Sequence, residues 1–170
     1  MVIKELYPFV QAYSFIIGLA VGSFLNVIIY RIPNNKSIVK PRSKCTGCET
    51  QISWYDNIPV LSYLLLLGKC RNCKASISVR YPLIEFICGL MTVMLLSIYG
   101  ISYEFFVIVL FCYMLIAITF IDIDHFIIPN EFIIFGLIVS FFAHAFNFLP
   151  ISILQGFYGI IAFGGTLFVM

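Results

Sequence analysis

The sequence predicts an all-α polytopic membrane protein with a small polar module between its first two membrane helices, and three observations carry this. Hydrophobic residues make up 62% of the chain and charged residues only 11%, against roughly 45–50% and about 25% in a soluble domain. Apolar runs near the ~20 residues that a helix needs to cross the hydrocarbon recur along the chain, giving about five transmembrane helices. Nine of the ten Lys and Arg residues (Arg31, Lys36, Lys40, Arg42, Lys44, Lys69, Arg71, Lys74, Arg80) fall between the first and second runs, where only Glu49 and Asp56 oppose them.

The runs lie at 8–30, 83–100, 105–121, 132–148 and 151–170, several of them short enough to require tilt or capping by neighbours. Lys4 precedes the first, but that run outlasts a signal-peptide core and lacks a small-residue cleavage site, so it reads as an uncleaved helix. Within it Gly18, Gly22 and Asn26 recur every fourth residue on one face, with Ser23 beside them. Small residues admit a neighbouring helix and an amide in hydrocarbon demands a partner on it, so this face reads as helix packing rather than catalysis. Pro33 ends the helix. The positive-inside rule puts residues 31–81 in the cytoplasm and the N-terminus outside. A basic loop at that position suits a lipid surface and does not imply nucleic acid.

That loop contains a repeat. KCTGCETQIS at 44–53 returns as KCRNCKASIS at 69–78, a shared K-C-x-x-C-x-x-x-I-S. Cys45, Cys48, Cys70 and Cys73 thus form two C-x2-C pairs separated by 21 residues. A reducing compartment disfavours disulfides, and the spacing lies just beyond that of four-thiolate zinc sites. A loop of about fifty residues lacks the apolar mass to fold alone, and bound zinc would supply that energy. Four thiolates close the tetrahedron, so the site is expected to be structural. The Ile-Ser pairs that end each copy (Ile52, Ser53; Ile77, Ser78) are expected to start strands. A redox dithiol is the alternative, disfavoured by two matched pairs at metal spacing. Cys88 and Cys112, alone in apolar runs, read as small core residues.

The third run ends in FIDIDHFIIPNE at 120–131. By the topology above, Asp122, Asp124 and His125 emerge at the cytoplasmic boundary, where an ionisable residue marks a candidate site. Pro129 cannot continue the helix, so the backbone after these carboxylates is expected to be irregular. Two carboxylates sharing a proton can activate water, as in aspartic proteases. Asp122 and Asp124, two residues apart on a helix, point to different sides, so a partner must come from another segment, and nothing after Glu131 is acidic. A transporter with a proton-binding Asp is the rival, but it predicts broken helices at mid-bilayer.

These motifs together, GSFLNVIIYRIP, the two knuckles with SWYDNIPVLSYLLLLGKC between them, ISVRYPLIE and DIDHFIIPNE, resemble the type IV prepilin leader peptidases, bifunctional membrane aspartic peptidases and N-methyltransferases. The resemblance implies that Asp122 is the first catalytic aspartate, Asp124 its companion, and Cys45, Cys48, Cys70 and Cys73 the cytoplasmic zinc knuckles. It implies type IV prepilins or pseudopilins as substrates, cleaved at the cytoplasmic face of the bacterial inner membrane, commonly after a glycine, and then methylated from S-adenosylmethionine. The chain divides accordingly into a first transmembrane helix (1–33), a zinc-binding, methyltransferase-associated loop (34–81) and an aspartic peptidase domain (82–170).

Similar proteins carry a second aspartate in Gly-x-Gly-Asp. Here GIIAFGGTLFVM at 159–170 approaches that motif without the Asp, so the expectation is a chain truncated before its second catalytic aspartate. The alternative is an inactive homologue, a zinc-stapled scaffold for pilin-like helices. No glycine-rich nucleotide fingerprint is present, so the methyl-donor site is not placed. Arg80 and Glu85, flanking Tyr81 and Pro82, read as a helix-edge ion pair ahead of a donor site. His125, one turn from Asp122, reads either as a hydrogen-bond partner for it or as a boundary histidine with no role.

Overall fold

The structure, a computed structural model, describes residues 2–148, 152–159 and 161. Its helices are α1 (Val2–Arg31), α2 (Leu61–Leu65), α3 (Arg80–Tyr99), α4 (Tyr103–His125), α5 (Asn130–Ala145) and α6 (Ile153–Gly159), with one 3₁₀ turn at Trp54–Asn57. The protein is all-helical, and α1 (from Leu6), α3 and α4 are long and apolar enough to cross a membrane. At 16 residues, α5 rises only about 24 Å at 1.5 Å per residue, short of the roughly 30 Å hydrocarbon core. Among the described residues the structure therefore offers three candidate spans where the apolar runs suggest five. Most of the fifth run, 151–170, lies outside the described residues. Large apolar side chains such as Phe9, Phe106 and Phe141 stand exposed on these helices, as a lipid-facing surface requires.

α1 and α3 share the closest helix–helix contact, and the reason is the small-residue face read from the sequence. A Cβ on Gly18 would stand 2.6 Å from Thr92 Oγ1 and 2.7 Å from the Gly89 Cα; one on Gly22 would stand 2.6 Å from the Glu85 Cα. Backbone meets backbone here, which only glycine permits. Asn26 continues the face, its Nδ2 donating to the Tyr81 carbonyl of α3 at 3.1 Å and to the Gly22 carbonyl of its own helix at 3.3 Å. Gly22→Leu is expected to force the seam apart and cost about 1–3 kcal/mol, read as a lowered melting temperature of the purified protein, whereas Leu at the exposed Gly156 is expected to have no such effect.

The turn between α3 and α4 is specified locally. Gly100 (φ +62°) stops α3, and Ser102 caps α4 by accepting from the Phe105 N–H at 3.1 Å. Thr92 and Tyr113 share a buried hydroxyl hydrogen bond across the α3–α4 pair. The core lies between these three helices, with Ile84, Cys88, Ala117 and Ile121 fully buried. Cys88 is the small core residue expected; Cys112 is only half-buried. Because α1 ends, α3 begins and α4 ends on one side, the cysteine loop and the Asp122–His125 turn share that side of the molecule.

Candidate functional site

The sequence repeat is a structural repeat. In the first copy Cys45 N–H donates to the Thr50 carbonyl (3.0 Å), Glu49 N–H to the Cys45 carbonyl (2.9 Å) and Ile52 N–H to the Ser43 carbonyl (2.9 Å). In the second, Cys70 N–H donates to Ala75 (2.8 Å), Lys74 N–H to Cys70 (3.0 Å) and Ile77 N–H to Gly68 (2.7 Å). Glu49 and Lys74 occupy the same left-handed position, φ +54° and +60°. The Ile-Ser pairs do not start strands: each copy closes with a single antiparallel bridge, Lys44 to Gln51 and Lys69 to Ser76. The tight reversal around each cysteine pair brings the two arms together and then parts them, leaving no room for a ladder.

These turns point four sulfurs at one spot. The Sγ atoms of Cys45, Cys48, Cys70 and Cys73 all lie within 4.8 Å of one another, with Cys45 and Cys73 3.7 Å apart. A tetrahedral metal with metal–sulfur bonds of about 2.3 Å needs sulfurs about 3.8 Å apart, so this cluster can hold a metal ion. Its electrostatics agree. The Thr50 hydroxyl and N–H draw the Cys48 thiol down to about 6, and the Cys73 and Asn72 N–H groups lower Cys70. The Ala75 N–H pulls Cys73 the same way, but the crowding sulfurs of Cys48, Cys45 and Cys70 win and push it up to about 11. Four thiolates this close cannot all ionise without a cation to compensate them.

Beside the cluster, Arg71 makes a bidentate pair with Asp56, Nε to Oδ2 at 2.9 Å and Nη2 to Oδ1 at 2.7 Å. Its guanidinium holds the Asp56 carboxyl below the usual carboxylate range. This pair ties the second knuckle to the 3₁₀ turn between the knuckles.

At the end of α4 the helix stops at His125; Phe126 takes a left-handed conformation and returns its N–H to the Asp122 carbonyl at 2.8 Å. Residues 127–129 are non-helical before α5, the irregularity that Pro129 demands. The neighbouring acids diverge. Asp124 meets Arg80 Nη1 at 2.5 Å, while Arg80 also donates to the Phe120 carbonyl at 2.9 Å and lies over the Phe120 ring, 4.8 Å from its centroid. Asp122 is exposed, and among the described residues its carboxylate has no hydrogen bond or ion pair, from His125 or any other group. Arg80 thus clasps the start of α3 to the end of α4. The helix-edge pair with Glu85 does not form: Arg80, in the first turn of α3, turns outward to α4, and Glu85, in the second turn, is buried. In a double-mutant cycle Arg80→Ala and Asp124→Ala are expected to couple by under about 1 kcal/mol, because both side chains keep solvent contact.

Glu85 is the residue whose role the sequence hid. It is 8% exposed, and its Oε2 accepts from the Val60 N–H at 2.7 Å. No periodicity or motif signals a carboxylate that serves a loop 25 positions upstream.

Comparison with known proteins bears on both halves of the chain. Residues 16–99 match the Bacterial Peptidase A24 N-terminal domain and residues 109–170 the Type IV leader peptidase family. A prepilin leader peptidase/N-methyltransferase of Myxococcus xanthus is 44% identical over 133 residues, covering 78% of this chain and 40% of the relative. Proteins of the same name from Stutzerimonas stutzeri and Pseudomonas putida are 35% and 37% identical, covering 76% and 75% of this chain and 54% and 53% of their own lengths. The chain therefore spans about half the length of the curated relatives it matches. No solved structure matches. With one half of the chain fitting the N-terminal domain of these peptidases and the other their peptidase family proper, the chain belongs to the type IV leader peptidase family.

Proposed function

We propose that the protein is a prepilin leader peptidase and N-methyltransferase of the bacterial inner membrane, cleaving the leader from type IV prepilins or pseudopilins at the cytoplasmic face and methylating the new N-terminus. The observation that carries this is the shared side: the exposed Asp122 carboxylate at the end of an apolar helix stands on the edge that also bears the basic, cysteine-rich loop. A prepilin presents a basic leader ahead of an apolar helix, so its scissile bond lies where that helix leaves the bilayer. Asp122 would act there as one member of an acid/base pair on a water molecule. Asp124 is engaged with Arg80 and Glu85 with Val60, so neither is assigned as the second carboxylate; Asp124 instead holds the Asp122 turn against α3.

The four cysteines would hold zinc as a structural ion, and this chain would cross the membrane about five times. S-adenosylmethionine would supply an electrophilic methyl group, and the chain's part is to bind it and the freed amine on this same face. A non-cleaving reading, a zinc-stapled scaffold for pilin-like helices, rests on Asp122 having no carboxylate paired with it among the described residues. One assay separates the two. Incubation with a prepilin, with and without S-adenosylmethionine, followed by N-terminal mass analysis, is expected to yield a trimmed product in both cases and a product 14 mass units heavier, about one methylene, only with the donor. An untrimmed prepilin that still co-purifies with the protein would select the scaffold.

A further inference from the structure

We propose that the cavity between the cysteine module and the ends of α1 and α3 is the S-adenosylmethionine site, and that Glu85 anchors the donor's cationic end. This rests on the methyltransferase reading above and gives it a location. The cavity measures about 640 Å³, within the range of roughly 300–1,000 Å³ that small-molecule sites occupy. Its floor is made by Ser23 and Asn26 of α1 and by Tyr81 and Glu85 of α3, and its roof by the knuckles and the segment between them.

The charges on its walls single out Glu85. Arg71 and Asp56 neutralise each other. Arg31 is bound to the carbonyls of Ser37 and Pro41 at 2.7 and 2.6 Å, and Lys44 is exposed on the loop. Glu85 alone lies buried with no basic partner among the described residues. Its Oε2 accepts from the Val60 N–H, and the Ser23 side chain on the same cavity floor also lies within reach of the carboxyl. Glu85 lines the cavity, and no side-chain oxygen is left buried without a partner among the described residues. A carboxylate so placed favours a cation as its ligand. The tyrosines on the walls, Tyr30, Tyr63 and Tyr81, offer ring faces to a cation or a nucleobase.

The loop that Glu85 holds is strained. Val60 sits at φ +59°, ψ −49°, and the Leu61 N–H returns to the Pro59 carbonyl at 2.5 Å. This is a γ-turn centred on a β-branched residue, a rare and costly conformation. Strain of this kind persists where the surroundings over-determine it, and it clusters at ligand sites. Here the turn brings a backbone donor to Glu85 and closes the cavity over it. A buried carboxylate, a strained turn and a nucleoside-sized space meet at one place, and neither metal binding nor proteolysis uses them.

The test is equilibrium binding of S-adenosylmethionine to the full, metal-loaded chain in detergent, with photo-cross-linking to map the contact. Glu85→Gln keeps an oxygen for Val60 N–H and removes the charge; Ser76→Trp fills the cavity from its roof. Wild type is expected to bind one donor per chain. Both variants are expected to retain one metal ion per chain, and Glu85→Gln to weaken donor binding by about ten- to a hundred-fold, the loss of one charged hydrogen bond. The cross-link should fall within residues 23–85. Donor bound equally by wild type and both variants, or cross-linked to α4 or α5, overturns this site and leaves methyl transfer standing. Failure of wild type to bind the donor overturns the methyltransferase reading as well. A short peptide with a free amino terminus is titrated in parallel, and a Glu85→Gln effect on the peptide alone also overturns the assignment.

Discussion

Asp122→Asn in the full-length protein is expected to reduce prepilin cleavage by about 10²–10⁴-fold, the range supplied by a positioned acid or base, while leaving the protein folded in the membrane. The side chain is exposed and makes no hydrogen bond or ion pair among the described residues, so its loss removes chemistry rather than a structural bond. Asp124→Asn is expected to have a smaller effect, because Asp124 is paired with Arg80 and, in the role proposed above, acts through the position of the α4 turn. The order of the two effects is the informative result. Cleavage that survives both Asp122→Asn and Asp122→Ala, measured by conversion of prepilin to the trimmed form, would remove Asp122 from the mechanism. Methyl transfer to a peptide that already has its mature N-terminus should be unchanged by Asp122→Asn, since the cavity above Glu85 is built by α1, α3 and the knuckles rather than by α4.

Loss of the metal is expected to be the largest structural effect. The module between α1 and α3 contains one 3₁₀ turn, one five-residue helix and two single bridges, and its buried residues are few. Structural zinc contributes about 10–16 kcal/mol of apparent binding free energy, more than such a module can replace from apolar burial. Cys70→Ser, or a strong chelator, should therefore unfold residues 42–78 while α1, α3 and α4 remain helical. Limited trypsin digestion reads this directly: cleavage after Arg71 and Lys74 is expected to become fast in the variant and slow in the metal-loaded protein. Metal analysis of wild type should give one zinc per chain, and a value near zero would remove the basis of the knuckle assignment. Because the module roofs the donor cavity, chelation is also expected to abolish methyl transfer before it affects prepilin cleavage.

The parts of this molecule legible from sequence are those that periodicity and repetition encode. Gly18, Gly22 and Asn26 announced a close helix seam, because a four-residue spacing of small residues in an apolar helix favours packing, but not that α3 would fill it. The twinned knuckles announced the cysteine cluster because the same hydrogen bonds recur at the same offset, down to the left-handed Glu49 and Lys74. Pro129 marked the end of regular helix near Asp122. Tertiary choices left no such trace. Arg80 selects Asp124, 44 positions away, over Glu85 at five, since only the assembled bundle brings the end of α4 beside the start of α3. Glu85 reads as the helix-edge partner of Arg80 until the fold buries it beneath Val60. The expected strands after each knuckle failed for a related reason: Ile-Ser has strand propensity, but a strand needs a neighbour, and each knuckle supplies one bridging pair.

The Asp122 turn and the cysteine module are expected to face the same aqueous compartment, the cytoplasm. Ile127→Cys and Val39→Cys, both at exposed positions, can be treated with a membrane-impermeant thiol reagent in intact spheroplasts and in inside-out vesicles, and the modified site read by peptide mass spectrometry. Modification of both cysteines in inside-out vesicles and of neither in spheroplasts is the predicted result. Modification of Cys at 127 from the spheroplast exterior, with Cys at 39 protected, would place the acid on the wrong side of the membrane for a cytoplasmic leader and contradict the account.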